Sequence, residues 1–403
     1  MVTGLPSFRH YNIPPDTYLA ITHTLPVAIL NRSIKFMEKE IFYRLALIHF
    51  PNYGNAAIKK LIRLCGSATV LFENPQSAAT KLYRYRSNLQ LPKLNDSIRQ
   101  FVDNELTQAR RHDIKICFFD DEHYPDRLKS CSDAPYYFYY KGTECFNNNK
   151  SIAIVGTRNA SNYGKDVVKK IVEDLAPHNV CIVSGLARGI DTCAHEEALQ
   201  KNLCTIAVLG CGLSMVYPNE NRKLAQQILE NGGAIISEYP FDAMPDRMNF
   251  PKRNRVIAGL SDAVVVAESQ EKGGSIITAD IAHSYNRDVF AVPGSIFQKS
   301  QHGCHELIRN NLAALISSGK DIANMMGWEQ VQSQHSQPTL FSKLSEEEDA
   351  ILQVIRKKQE ATIDQISAEI STMSYPRLAS LLLSLELKGI IECKPGKVYT
   401  TIY

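Results

Sequence analysis

Ile152-Ala153-Ile154-Val155-Gly156, Val180-Cys181-Ile182-Val183-Ser184-Gly185, Thr205-Ile206-Ala207-Val208-Leu209-Gly210, Ala234-Ile235-Ile236-Ser237-Glu238, Ala263-Val264-Val265-Val266-Ala267 and Val289-Phe290-Ala291-Val292 are short β-branched and apolar runs. Turn residues and helix-sized intervals separate them. Runs this continuous predict strands buried on both faces of a parallel, doubly wound sheet, hence an α/β domain. In such a sheet every strand ends and every following helix begins on one edge, where helix N-termini and glycine turns favour anions. That edge receives Gly156-Thr157-Arg158, Ser184-Gly185-Leu186-Ala187-Arg188-Gly189, Gly210-Cys211-Gly212 and Lys272-Gly273-Gly274-Ser275, with Lys252-Arg253-Asn254-Arg255 in a crossover. Several fixed donors and at least four cations on one rim predict an anionic ligand bearing several phosphates.

A dinucleotide cofactor fits poorly. The first turn, Gly156-Thr157-Arg158-Asn159-Ala160-Ser161-Asn162-Tyr163-Gly164, lacks G-x-G-x-x-G spacing, and the second strand ends in Ser184-Gly185 where a ribose-binding acid is needed. No cofactor is therefore expected. Ser184, Asp191 and His195 offer a nominal nucleophile set. Asp191 and His195, one helical turn apart, equally suit a capping acid and its neighbour, so no catalytic residue is assigned.

Ile154-Val155-Gly156-Thr157-Arg158, Ser184-Gly185-Leu186-Ala187-Arg188-Gly189-Ile190-Asp191, Tyr217-Pro218-x-x-Asn221, Ser237-Glu238, Phe250-Pro251-Lys252-Arg253-Asn254-Arg255-Val256-Ile257-Ala258-Gly259-Leu260 and Gly274-Ser275-x-x-Thr278 occur in this order. Over roughly Tyr124 to Ile322 the chain resembles the DNA-processing protein A (DprA, or Smf) family. The resemblance implies an extended Rossmann-like sheet in a cytoplasmic bacterial protein that binds single-stranded DNA, forms a homodimer and loads the RecA recombinase in natural transformation. The family often places a basic residue after Tyr-Pro. Asn219 stands there in this chain, so Arg222 or Lys223 is the candidate for that charge. The enzymatic alternative is a nucleotide phosphoribohydrolase of the LOG type, with signature P-G-G-x-G-T-x-x-E. Lys272 to Asp280 keeps its double glycine, lacks the following Gly-Thr and puts Asp280 at the glutamate position.

The chain has 403 residues, enough for two or three domains, and its net charge of +3 requires any basic surface to be local. Ten cysteines without a C-x-x-C pair suit free thiols in a reducing cytosol. No run approaches the ~18 apolar residues of a membrane helix. Tyr18 to Leu30, interrupted by His23 and Pro26, lacks a cleavage site.

The expected organisation is an extension over 1–36, read as disordered with Met37 as an alternative start. A helical helix-hairpin-helix (SAM-like) domain follows over 37–111, then the Rossmann-like domain over 112–326, a polar linker over 327–343 and a winged helix over 344–403. In the first helices, Lys59, Lys60 and Arg63 are phosphate candidates, although such hairpins often only pack. Tyr136-Tyr137-Phe138-Tyr139-Tyr140 alternates as a strand with one buried face. In the winged helix, Ser345, Thr362 and Ser374 open three helices. Arg377 and Lys388 are thin for a groove reader, which favours protein contact, with Lys394 and Lys397 as wing candidates.

The resulting site expectation has DNA phosphates held by Gly156, Thr157, Arg158, Ser184, Gly185, Arg188, Arg222, Lys252, Arg253, Asn254, Arg255, Gly273, Gly274, Ser275 and Thr278. Phe250 either stacks a base or is buried. His305, Leu307, Ile308 and Leu312 are the resemblance's dimer residues. In that segment Asn311 and Ala314 depart from the family's usual glycine and larger apolar residue. No metal site is expected at His302-Gly303-Cys304-His305.

Overall fold

The computed structural model describes residues 27–50, 53–83, 93–328, 345–370, 373–388, 390–394 and 397–401. Residues 1–26 of the expected extension and the expected linker from 329 onward lie outside them. The chain divides into two units, Met1–Trp328 and Glu329–Tyr403.

The first unit opens with helices α1 (Val27–Ile48), α2 (Asn55–Cys65), α3 (Ala68–Glu73), α4 (Pro75–Tyr83) and α5 (Asp96–Arg111). Thus α1 starts at Val27 rather than Met37, inside the segment read as a disordered extension. Gly66 ends α2 with φ 90°, the left-handed conformation that glycine adopts without steric cost. Then come β1 (Lys115–Phe118), α6 (Asp126–Lys129), β2 (Tyr137–Gly142), β3 (Ser151–Gly156), α7 (Asn162–Leu175), β4 (Cys181–Ser184), α8 (Ile190–Gln200), β5 (Thr205–Leu209), α9 (Arg222–Glu230), β6 (Ala234–Ser237), α10 (Asn249–Gly259), β7 (Ala263–Glu268), α11 (Gly274–Ser284), β8 (Asp288–Ala291), α12 (His302–Arg309), β9 (Ala314–Leu315) and α13 (Gly319–Met325). The sheet runs β1-β2-β6-β5-β4-β3-β7-β8-β9. It is parallel from β6 to β9, with β1 and β2 added antiparallel on one side.

Alternate residues of each central strand enter different cores, which is why the runs carry no polar face. Ala153 and Val155 of β3 and Val264 and Val266 of β7 join one core with Val256 and Ile257 of α10 and Ala279 and Ala282 of α11. Ile152, Ile154, Ala263, Val265 and Ala267 join the opposite core with Val168 and Ile171 of α7, Ala194 of α8 and Ile322 of α13. The aromatic strand differs from expectation, because both its faces are buried. Phe138 and Tyr140 enter the α10–α11 core, while Tyr137 and Tyr139 pack beneath Leu45, Ile58, Leu61 and Val102 of the N-terminal helices. Those helices cover the second face of β2.

The second unit contains α14 (Glu346–Lys358), β10 (Glu360–Thr362), α15 (Ile363–Glu369), α16 (Tyr375–Leu387), β11 (Ile391–Lys394) and β12 (Val398–Thr401), with sheet order β10-β12-β11. Ser345 and Thr362 form reciprocal capping boxes with Glu348 and Gln365. Ser374 occupies the N-cap of α16, but its side chain makes no cap bond. Three helices and an antiparallel ribbon make this unit a winged helix.

Candidate nucleic-acid interface

The strand order reverses at β3, which has β4 on one side and β7 on the other. The helices leaving these strands cover opposite faces, α7 after β3 and α11 after β7, so a crevice opens at the strand ends. Its β3 wall is Gly156-Thr157-Arg158. Arg158 is exposed, with its guanidinium 5.3 Å from the centre of the Phe250 ring. Phe250 is half-buried, and Tyr217 lies 5.7 Å away, ring to ring. Tyr217 is 45% exposed, so the two rings and the cation form one apolar and basic shelf. The sequence motif contains Tyr217, but only the fold reveals it as the partner of Phe250.

The opposite wall is the start of α11. Gly273 occupies its N-cap without a side-chain cap bond, and a Cβ built on Gly274 would meet nothing within 4 Å. The Gly273 N–H is taken by the Gln270 carbonyl at 3.1 Å, so the open part of this terminus is the space around Gly274, with exposed Lys272 before it. Below it, the buried Ser275 hydroxyl donates to Ser269 Oγ at 2.7 Å, and Thr278 bonds back to the Gly274 carbonyl at 3.3 Å. Ser275 and Thr278 therefore shape the terminus through their side chains rather than pointing outward.

The other expected ligands divide in the same way. Arg188, Arg222 and Lys252 are exposed. Arg188 forms an ion pair with Glu220, both side chains lying in solvent at 63% and 61% exposure. Ser184 is fully buried and donates to the Ile154 carbonyl at 2.6 Å. The Gly185 N–H, expected to face a phosphate, donates to Asp191 at 3.1 Å, and Ala187 N–H reaches the same carboxylate. Thr157 N–H donates to the Glu268 carbonyl at 2.8 Å. These donors are occupied because they hold the strand-end loops in shape.

Arg253 departs most from expectation. It is 5% exposed, donates Nη1 to the Gly185 carbonyl at 2.6 Å and also to the Val208 carbonyl. A Cβ on Gly185 would lie 2.4 Å from that Nη1, so the glycine makes room for the guanidinium. Burial lowers the Arg253 pKa, while the Asp191 charge opposes that shift. Arg253 is thus a brace beneath the crevice. Arg255 points elsewhere too, donating to Glu238 and to the Asp133 carbonyl. Asn254 donates to the Gly274 carbonyl at 3.2 Å, tying α10 to the mouth of α11.

Outside the crevice, Lys59 is half-buried, donates to the Ala134 carbonyl at 2.6 Å and sits 3.8 Å from the Phe119 ring centre. Burial, then the nearby Arg255 charge, pushes it down to about 8. It packs α2 against the edge strands and is not an exposed phosphate ligand, whereas Lys60 and Arg63 are exposed. His195 does not face Ser184. The Thr205 hydroxyl donates to Ile182 O, so His195 Nδ1 donates to Thr205 Oγ1 at 2.7 Å. Burial, and secondarily the Arg253 charge, pushes His195 down to about 3.

Among the dimer candidates, Leu307 is 2% exposed and belongs to the core, Ile308 packs against that core, and His305 hydrogen-bonds at Gly294. Leu312 is 38% exposed, and Leu315 on edge strand β9 is 49% exposed. In the winged helix, Arg377 pairs with Glu347, Lys388 with Glu348 and Lys394 with Glu360. Lys397 is exposed. Among the described residues, no helix is long and apolar enough to cross a membrane.

Residues 115–327 match the family model for DNA recombination-mediator protein A, and residues 335–397 match the DprA winged helix domain. The chain belongs to the DprA/Smf family. It is 36% identical over 313 residues to protein Smf of Synechocystis sp., covering 70% of this chain and 78% of the relative. To the DNA processing protein DprA of Streptococcus pneumoniae it is 44% identical over 202 residues, covering 50% and 71%. The X-ray structure of the S. pneumoniae DprA superposes with a TM-score of 0.52 at 35% identity, covering 68% of this chain and 98% of that one. These DprA and Smf relatives do not favour the LOG-type hydrolase alternative.

Proposed function

We propose that this DprA-family chain binds single-stranded DNA along the strand-end crevice and performs no bond-breaking there. The observation carrying this reading is the cluster of exposed Arg158 with Phe250 and Tyr217 at the β3 end, together with the open space around Gly274 at the start of α11. Phosphates sit on the α11 N–H groups and on Arg158, Lys252, Lys272 and Arg222, giving affinity without base preference. Bases stack on Phe250 and Tyr217, which a paired duplex cannot offer them. Arg253, Asn254, Ser184, Gly185, Thr278 and Arg255 hold the underlying protein in place.

The remaining roles rest on family membership. The protein acts in the cytoplasm as a homodimer and loads RecA on DNA taken up in transformation. Exposed Leu312, Leu315 and the open edge of β9 support self-association. The pairing of Arg377, Lys388 and Lys394 with acids supports a protein-contact role for the winged helix.

Titration with single- and double-stranded oligonucleotides at two salt concentrations tests the binding mode. Tight, salt-sensitive binding of unrelated single strands is expected, with weaker binding of duplex. Equal affinity for both forms contradicts it, and release of ribose 5-phosphate from AMP contradicts the absence of turnover.

A further inference from the structure

The connection over 292–301, between β8 and α12, carries the most exposed large hydrophobic side chain among the described residues, Phe297 at 89%, beside Ile296 at 70%. An adjacent apolar pair held in water forgoes burial that would stabilise the chain, so its display calls for a partner. The loop that displays it is braced. At its neck, Tyr163 Oη donates to the Pro293 carbonyl at 2.5 Å. The fully buried Gln301 side chain packs against Gly294, where an added Cβ would lie 2.5 Å from it. Nearer the tip, His302 Nε2 donates to the Ile296 carbonyl at 3.2 Å, and Gln298 N–H donates to the Ser295 carbonyl at 3.1 Å.

The same braces place the loop. Tyr163 belongs to the first turn of α7, the helix that leaves the β3 wall of the crevice. On the other side, Gly303 N–H donates to the Ser269 carbonyl at 2.8 Å, and His302 Nδ1 lies 3.6 Å from Glu271 Oε1. Ser269 and Glu271 belong to the turn between β7 and α11, which also carries exposed Lys272. The loop therefore stands on the strand-end edge, tied to both crevice walls. Exposed Lys299 follows Phe297 by two residues.

We propose that Phe297 is a second stacking position for the same single strand, so that the DNA path runs along the sheet edge from Phe250 and Tyr217 to the β8 end. The inference rests on the crevice reading above and extends its path. An exposed ring with lysines close by offers what an unpaired strand needs, a face for a base and charge for the backbone. Phe250 lies against Gly210 at the end of β5 and near Arg158 beyond β3. The strand order puts β8 four spacings from β5 and two from β3. The two platforms are thus ~10–19 Å apart, or about three to six stacked nucleotides at ~3.4 Å each.

The test compares oligothymidine binding by the full chain and three variants. Phe297→Ala should weaken binding by about five- to 150-fold, the range for losing one base–aromatic stack. Its salt slope and melting temperature should match the wild type, because neither a charge nor a buried contact is lost. Phe297→Trp should keep the affinity, and the fluorescence it adds to that of Trp328, the single native tryptophan, should be quenched as oligothymidine binds. Arg158→Ala serves as the crevice control and should reduce the salt slope. Binding that responds to Arg158→Ala but not to Phe297→Ala, with no quenching in Phe297→Trp, overturns this inference and leaves the crevice reading standing. Binding insensitive to Arg158→Ala overturns both. A fall in the mass of Phe297→Ala in light scattering assigns the loop to self-association instead and overturns the inference.

Discussion

Replacing Arg253 by alanine separates the brace from the binding surface. The guanidinium is 5% exposed and donates to two carbonyls, Gly185 and Val208. Leaving both acceptors unsatisfied costs about 1–3 kcal/mol each, so Arg253→Ala should destabilise the protein by roughly 2–6 kcal/mol. At ~2–4 °C per kcal/mol for a domain of 150–250 residues, this is a fall of about 4–24 °C in the melting temperature. The assay pairs thermal or denaturant unfolding with oligothymidine binding at several salt concentrations, well below the melt. Each lost single-strand phosphate contact should reduce the magnitude of the salt slope by about 0.7. Arg253→Ala should retain the wild-type slope, even if affinity drops through loosening of the Gly185 loop. Arg158→Ala should show the converse: stability within ~0.5 kcal/mol and a reduced slope. An Arg253→Ala protein that melts normally but loses one contact's slope would refute the assignment of Arg253 as a brace.

Other outcomes follow from the same geometry. Glu220→Gln removes the acid paired with Arg188 and should strengthen single-strand binding at low salt, with little effect at high salt; filter binding would show it, and unchanged affinity would argue against Arg188 near the strand path. Leu312→Asp combined with Leu315→Asp should yield monomers in light scattering without lowering the melting temperature, because both residues are exposed; a persisting dimer moves the interface elsewhere. His195, held near 3 when folded and at an ordinary value when unfolded, loses stability as pH falls from about 6.5, at roughly 1.4 kcal/mol per unit. His195→Gln should lack that component, so the stability difference between wild type and variant must change between pH 7 and 4.5; a constant difference contradicts the buried neutral imidazole.

The sheet was legible because strands covered on both faces need no polar alternation, leaving Ala263 to Ala267 as an unbroken apolar run. Antiparallel β2 was harder to place, since its second cover comes from α1, α2 and α5, distant in sequence. The crevice edge was also legible, because strand ends and glycine turns occur together. Which cations reach solvent was less so. Residue type does not distinguish Arg158 from Arg253, but helical spacing does. Arg253 precedes Val256 by three residues and Ile257 by four, which places it on the buried stripe of α10. Leu307 sits likewise with Gly303 and Cys304 on the inner face of α12. The Gly185 N–H bond to Asp191 had no comparable signal, because it depends on the loop path between β4 and α8.

Photocrosslinking of a bromodeoxyuridine-substituted single strand, followed by peptide mapping, tests the proposed binding path most directly. The expected adducts fall on peptides containing Tyr217 and Phe250 and diminish when Arg158, Lys252 and Lys272 are jointly replaced by alanine. Adducts confined to residues 345–401, or unaffected by that triple replacement, would contradict the strand-end crevice as the DNA site.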